Sequence, residues 1–260
     1  MKTKLLLLSI LALLVLILVN WPDDKTRVVF CDVGQGDGAL IEKGNFQMII
    51  DAGPDNQKMG SCLSKYMPFW DKKIEVAIIS HWDADHSGGL VKLAKVYRIE
   101  RLMSASQPDK KYEQISYTDK LIAGDVVRAD EISFEVLSPA EYSDSSEQDK
   151  NENSVVGVLN YKLNRILFLG DATAEVEERL VFRQAQDLNG INIIKISHHG
   201  AGTATSETLV RAIKFDWAVI SVGKNNKYGH PNSEVINRLN EAGVKILRTD
   251  KAGDIQFLLR

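Results

Sequence analysis

The reading of this chain turns on residues 74–89, Ile74-Glu75-Val76-Ala77-Ile78-Ile79-Ser80-His81-Trp82-Asp83-Ala84-Asp85-His86-Ser87-Gly88-Gly89. The first half is an almost unbroken apolar run, the pattern of a strand buried on both faces. The second half packs four metal-competent side chains, His81, Asp83, Asp85 and His86, into six residues. One Asp and one His would fit a polar loop capping a helix; four candidate ligands ending a buried strand point to a metal site. Imidazole together with carboxylate suits zinc, manganese or iron rather than calcium. Gly88-Gly89 is expected to let the backbone turn tightly into a helix over 90–96.

Further along, Leu169-Gly170-Asp171 is an apolar run ending in a carboxylate just before a predicted helix. Alone, Asp171 reads equally as an N-cap; beside the first motif it is a candidate bridging ligand. Ser197-His198-His199-Gly200 also follows a predicted strand. Adjacent histidines point different ways, so one can bind metal while the other meets substrate. His230 sits among Asn225, Asn226, Lys227 and Tyr228, a polar loop suited to holding an anion. These motifs account for all five histidines, which leaves none for an incidental role.

Alternation and turn signals predict strands over 27–32, 39–42, 46–51, 74–80, 126–128, 132–137, 191–196, 217–221, 245–248 and 255–259, and a hairpin of 155–161 with 165–169. Helical spacing is read over 61–67, 174–187, 207–214 and 233–242, and a polar, exposed loop over 141–153. An α/β body of residues 27–260 follows: two mixed sheets packed face to face with helices outside. No internal repeat stands out. Cys31 and Cys62 lie in apolar surroundings; one disulfide and two buried free thiols are both consistent readings, and neither spacing suggests a metal site.

Lys2 and Lys4 precede an uncharged run of Leu, Ile and Val up to Val19, followed by Asn20-Trp21-Pro22-Asp23-Asp24. A positive flank, an apolar stretch and an acidic exit make residues 1–22 a signal or anchor segment, with the body outside the cytoplasm. No small-residue cleavage site is evident, and residues 5–21 are just long enough to span, so an uncleaved membrane anchor is favoured over a cleaved signal. The net charge of −3 gives no global basic field of a nucleic-acid binder. A local basic face remains open in Lys92, Lys95, Arg98 and Arg101, which read equally as a solvated helix side.

With these motifs assembled, the chain resembles the metallo-β-lactamase superfamily, and more narrowly the hydrolase-like domain of the ComEC/Rec2 competence proteins. The matching stretches begin with Asp32-Val33-Gly34-Gln35-Gly36-Asp37, Asp51-Ala52-Gly53, the His81–Gly89 motif and Asn153-Ser154-Val155-Val156. They continue through Leu169-Gly170-Asp171, Ser197-His198-His199-Gly200, Ser221-Val222-Gly223, Tyr228-Gly229-His230-Pro231 and Arg248-Thr249-Asp250, in family order. The chain reads as a stand-alone member, with one hydrophobic segment in place of the competence protein's multi-helix channel, so membership in a DNA-uptake channel is not carried over. The resemblance implies an αββα sandwich with metals at one edge between the sheets. By position, it implies one site at His81 and Asp83, a second at Asp85 and His86, and Asp171 bridging them. His198, His199 or His230 would complete the second, with position favouring His199 and the superfamily members that act on phosphodiesters also supporting His230. The chain has Asp83 where the superfamily's commonest pattern has a second histidine, and Asn153 about where a further histidine ligand would come. The expected cofactor is therefore two divalent ions, zinc or manganese, or a single ion. Substrate contacts are assigned to Asp37, Asn153, Lys227 and His198.

The expected reaction is water attack, the ions lowering the water's pKa toward about 7 and polarising the substrate oxygen. Asp85 would orient the nucleophile, and the spare histidine of the His198-His199 pair would protonate the leaving group. A phosphodiesterase or nuclease acting on DNA is the leading reading. Its rivals are a hydrolase of a small extracytoplasmic ester, lactone or cell-wall phosphoester, and a metal-stabilised binding module without turnover. No obligate protein partner is inferred.

Overall fold

The computed structural model describes residues 2–19, 25–108, 110–112, 115, 118–143, 151–184 and 186–260. Six strands from the first half, β1 (Thr26–Phe30), β2 (Gly38–Lys43), β3 (Phe46–Ala52), β4 (Lys73–Ile79), β5 (Arg98–Ser104) and β6 (Thr118–Lys120), lie side by side in chain order. The second half repeats the arrangement in β7 (Val126–Ala129), β8 (Ile132–Ser138), β9 (Val156–Tyr161), β10 (Asn164–Phe168), β11 (Ile193–Lys195), β12 (Trp217–Ile220) and β13 (Lys245–Arg248). The final strand, β14 (Ile255–Leu259), returns to the first sheet and pairs with β1. Both sheets are mixed: antiparallel pairing gives way to parallel pairing beyond β3 in one and beyond β10 in the other.

Alternate residues along these strands face opposite ways, and both faces are covered. Val28, Phe30, Ile41, Met48, Ile50 and Ile78 meet Phe134, Leu159, Ile166 and Phe168 between the sheets. The outward set of the first sheet, including Val29, Leu40, Ile49 and Ala77, is covered by α2 (Lys58–Tyr66), the one-turn α3 (Ala84–Ser87) and α4 (Leu90–Leu93). That of the second lies under α5 (Ala174–Gln184), α6 (Glu207–Ala212) and α7 (Ser233–Glu241), with the short α8 (Thr249–Ala252) before β14. This double burial is why the strands read as continuous apolar runs.

Several expectations need correction. Residues 98–104, whose arginines were read as part of a helix side, form strand β5, because Ile99, Leu102 and Met103 fit a pleated surface. Two members of the expected basic face are paired with acids: Arg101 with Asp119 at 2.8 Å and Lys92 with Asp55 at 2.9 Å. Gly88 and Gly89 adopt ordinary right-handed helical angles, so no special turn requires them. What excludes a side chain is space, since a Cβ on Gly89 would sit 2.2 Å from the Ala52 carbonyl oxygen. Cys31 and Cys62 are joined in a disulfide, with Cα atoms 5.9 Å apart. Of the loop expected over 141–153, Ser143 donates its N–H to Ala105 O; residues 144–150 lie outside the described residues, as do 20–24 of the N-terminal segment.

At the N-terminus α1 covers Lys2–Val19, 18 residues, or about 27 Å at helical rise. Among the described residues no helix is long and apolar enough to cross a membrane; the span expected over 5–21 runs into residues 20 and 21, which lie outside the described residues.

The disulfide closes a loop with a sequence separation of 31. Replacing both cysteines by alanine should therefore lower the unfolding free energy by about 3–4 kcal/mol, measured by urea titration. Equal stability of the two proteins would mean that the thiols are free in solution.

Candidate metal centre

The strands that run parallel deliver their C-terminal ends to one edge of the sandwich, between the sheets. Asp51 ends β3, Ser80 and His81 follow β4, Asp171 follows β10, His198 and His199 follow β11, and Ser221 follows β12. Asp83 starts α3 without using its carboxylate as a cap, and Asp85 and His86 lie within that one turn. Three of these residues hold left-handed backbone: Asp51 (φ 60°), His198 (φ 47°) and His199 (φ 54°). For side-chain-bearing residues this conformation is costly and persists only where the surroundings enforce it.

Asp171 is the meeting point. His86 Nε2 lies 3.2 Å from its Oδ1. From Asp171 Oδ2, His81 Nε2 is 3.9 Å away, His199 Nε2 3.8 Å and His198 Nε2 3.7 Å. Asp85 Oδ2 approaches His199 Nε2 to 3.2 Å.

Behind the rings, a second layer fixes each imidazole. Ser80 donates its N–H to Asp51 Oδ1 (2.7 Å) and its hydroxyl to Asp51 Oδ2 (2.8 Å). That hydroxyl, its own proton committed, accepts from His81 Nδ1 at 3.1 Å. His86 Nδ1 lies 2.9 Å from Asp51 Oδ2, and His199 Nδ1 lies 3.0 Å from the carbonyl of Ser221 and 3.2 Å from Asp37 Oδ1. A carboxylate or carbonyl oxygen can only accept, so each ring donates from Nδ1 and presents Nε2 toward Asp171. Asp37 is held in turn by buried Lys195 at 2.5 Å.

This donor set fits a divalent ion. His81 Nε2, His86 Nε2 and Asp171 Oδ1 are buried and have no hydrogen-bond partner, an arrangement native interiors avoid unless something else fills it. Ligand atoms of His81, His86 and Asp171 lie within 4.8 Å of one another, as do those of Asp85, His86 and His199. Charge tells the same story. Burial would raise the Asp171 pKa, but His86 and His199 hold it well below the carboxylate range. Burial would lower His199, yet Asp37, Asp171 and Asp85 push it up to about 9. Burial opposes His86 too, and Asp171 and Asp51 raise it well above its ordinary value. The carboxylates thus demand positive charge, which protons supply unless a metal ion does.

Asp83 reaches the edge of the cluster, 3.5 Å from His81 Nε2, with its side chain 40% exposed. His198 is also at the mouth, with a half-exposed ring. His230 stands off from Asp171; its ring centre is 6.0 Å from that of His198 and 5.8 Å from that of Tyr228. Burial and the charges of His198 and His199 lower its pKa. Lys227 lines a groove of about 620 Å³ that opens at Asp85, with Lys111, Tyr112, Asn226 and Tyr228 along it. Two expected substrate contacts lie elsewhere. Asp37 is buried behind His199, and Asn153 lines a separate groove beside α5. Its neighbour Ser154 does reach the centre, 3.5 Å from His81 Nδ1, and accepts from the Asp171 N–H at 3.3 Å. Sequence reasoning gave no role to Asp51, Ser80, Ser154, Lys195 or Ser221. The one available signal was Asp51, which ends an apolar strand as Asp171 does.

Two outcomes follow. Asp51→Asn should weaken metal affinity about 10–100-fold by freeing the rings of His81 and His86, read by competition with a chromophoric chelator; unchanged affinity would remove Asp51 from this role. Histidine ligands must be neutral to bind metal. With His199 raised from 6.5 to about 9, its favourable charge pairing is present in the metal-free protein at neutral pH and is lost as pH rises through that value. Metal addition at pH 7 should therefore release protons, and affinity should fall as pH falls. Calorimetry in buffers of different ionisation enthalpy measures the release, and none would overturn the ligand set.

The metallo-beta-lactamase superfamily model matches residues 31–224. Competence protein ComA of Neisseria gonorrhoeae is 29% identical over 236 residues, covering 91% of this chain and 33% of that protein. ComE operon protein 3 of Bacillus subtilis is also 29% identical, covering 89% and 33%. The chain thus spans about a third of the length of these curated relatives. Among solved structures, the metallo-beta-lactamase fold protein YhfI from Bacillus subtilis superposes with a TM-score of 0.60 at 9% identity, over 89% of this chain and all (100%) of that one. The chain belongs to the metallo-beta-lactamase superfamily of metal-dependent hydrolases, as a relative of the ComEC-like competence proteins.

Proposed function

We propose that this domain is a phosphodiesterase whose substrate class is single-stranded DNA, cleaved at a centre holding two zinc or manganese ions. The observation that carries this reading is the groove opening at Asp85, with Lys111 and Lys227 on its walls and the exposed ring of Tyr228 beside them. Lysines that meet phosphates next to rings that meet bases are what a single strand requires.

His81, His86, Asp171, Asp85 and His199 would hold the ions, with Asp83 at the outer position. When bound, the ions supply an activated water and polarise the phosphoryl oxygen. Asp85, at the mouth of the groove, orients the attacking water. His199 is committed on both ring nitrogens, to Ser221 and Asp37 on one side and to Asp85 on the other. His198 keeps a half-exposed ring and is the group able to protonate the leaving oxygen. Lys227 and the Asn226 region hold the non-bridging oxygens.

We further propose that the body works outside the cytoplasm and is held to a membrane by α1. The disulfide supports an oxidising compartment. Beyond Lys4, α1 exposes Leu5 to Leu8, Ile10, Leu11, Leu13 and Val15 with Ser9 as the one polar side chain described among them, a surface that lipid accommodates and water does not.

Two measurements test the assignment. Asp85→Ala should abolish hydrolysis of bis-p-nitrophenyl phosphate and single-stranded DNA when manganese or zinc is added back; retained activity refutes the role of Asp85. Lys227→Ala should weaken binding of single-stranded DNA and reduce the log–log salt slope by about 1, while sparing turnover of the small diester. An unaltered slope would take phosphate binding away from Lys227, and hydrolysis confined to lactones or carboxylic esters would replace the phosphodiesterase reading.

A further inference from the structure

The two ends of the sandwich differ in a way that catalysis leaves unused. β1, β3, β4 and β5 run toward the metal centre, as do β10 to β13. Their N-terminal ends therefore form the opposite end, where Asn164 donates to the Arg260 carbonyl at 2.8 Å and joins the two sheets. Eight large hydrophobic side chains are exposed on the described body, and five of them gather here: Phe69 (48%), Trp70 (37%), Val96 (56%), Leu163 (89%) and Leu258 (51%). The first three precede β4 and β5, Leu163 precedes β10, and Leu258 pairs with Arg27 at the start of β1. Phe69, Trp70 and Val96 precede the neighbouring strands β4 and β5, and exposed apolar side chains so grouped mark an interaction surface.

Three observations identify the partner. Phe69 and Trp70 stack edge to face, ring centres 4.8 Å apart, and rings of this kind favour the level where hydrocarbon meets headgroup. Lys72, two residues past Trp70, and Lys95 line one end of a groove of about 500 Å³ that runs along the first sheet's helical face, and the Arg98 side chain nearby is 81% exposed, 4.0 Å from Glu100. Cations beside an apolar surface suit anionic lipid. The chain also enters the body at this same end, at Thr26, from the side of α1.

We infer that the end of the sandwich opposite the metal centre rests on an anionic lipid surface. Phe69 and Trp70 form a wedge there, Lys72 and Lys95 lie at headgroup level, and the substrate groove faces away from the membrane. The inference rests on α1 being inserted in lipid, as proposed above, and adds a second contact that fixes the orientation.

Tryptophan fluorescence separates the two statements. The chain has four tryptophans, so full-length variants keeping only Trp21, Trp70 or Trp82 are made by Trp→Phe substitution. Each is bound to phosphatidylglycerol vesicles with brominated acyl chains. Trp70 should lose most of its emission, and Trp82, buried beside the metal motif, should lose none. Quenching of Trp21 with Trp70 unaffected overturns the inference and leaves the insertion of α1 intact; no quenching at either position overturns both. Should a Trp→Phe variant fail to fold, hydrogen exchange of the unaltered chain gives the same answer. Slower exchange over 68–72 and 162–164 on vesicle addition, with 80–89 unchanged, is expected. Equal slowing on pure phosphatidylcholine overturns the anionic requirement, and slowing without vesicles that grows with protein concentration assigns the surface to self-association instead.

Discussion

Asp171 sits buried between two sheets with the rings of four histidines within 3.2 to 3.9 Å of its oxygens. Asp37 and Asp51 are buried within reach of the same rings. Three carboxylates out of water are untenable without compensating positive charge, and the protein supplies it from rings, from Lys195 and from whatever cation the centre holds. Every other feature of this edge is arranged around that requirement. Each ligand comes from the end of a different strand or turn, so the sheets must keep their spacing for the charges to balance. Stability and metal binding here are one problem.

The second layer turns a charge cluster into a coordination site. One carboxylate, Asp51, takes the backbone and hydroxyl of Ser80 and the ring of His86, and through that hydroxyl it also aims His81. Its left-handed backbone is the cost of bringing both oxygens to bear. The strained pair His198 and His199 serves a related end: consecutive left-handed residues send one ring inward to Asp85 and leave the other at the mouth. The placement of three ring nitrogens is thus set by residues that need never touch an ion.

How much of this was legible depends on whether the signal is local. The His81–Gly89 motif, Asp171 and His198-His199 could be read because each ends an apolar run, and parallel strands bring such ends together. The face-to-face mixed sheets could be read because β4 and β10 both end in unbroken apolar runs, Val76 to Ile79 and Ile166 to Phe168, the pattern of double burial. The pairing of Asp37 with buried Lys195 was not legible because the two are far apart in sequence; no window along the chain contains both. Asn153 is singled out in the sequence because it lies about where the family's further histidine ligand would come; the register at Val155, bonded to Ser80 O, turns its neighbour Ser154 inward. The glycines after His86 were credited with a turn when their role is to let α3 and α4 press onto the end of β3. The two halves share a strand plan that their side chains do not repeat, which is why no repeat was visible.

The pairing of β14 with β1 bears on how the body is made. β1 is among the first parts of the body to be synthesised and β14 the last strand, so the first sheet keeps an open edge while nearly everything else is assembled. The strands from β1 to β5 can pair early, since their partners are close in sequence, and the Cys31–Cys62 bond can lock them to α2. The exposed backbone of β1 still offers a template to any extended chain nearby. Biogenesis of this body therefore has a vulnerable interval that ends only when residues 255–259 arrive, and a ribosome stalled short of them would leave a half-finished sheet seeking a partner.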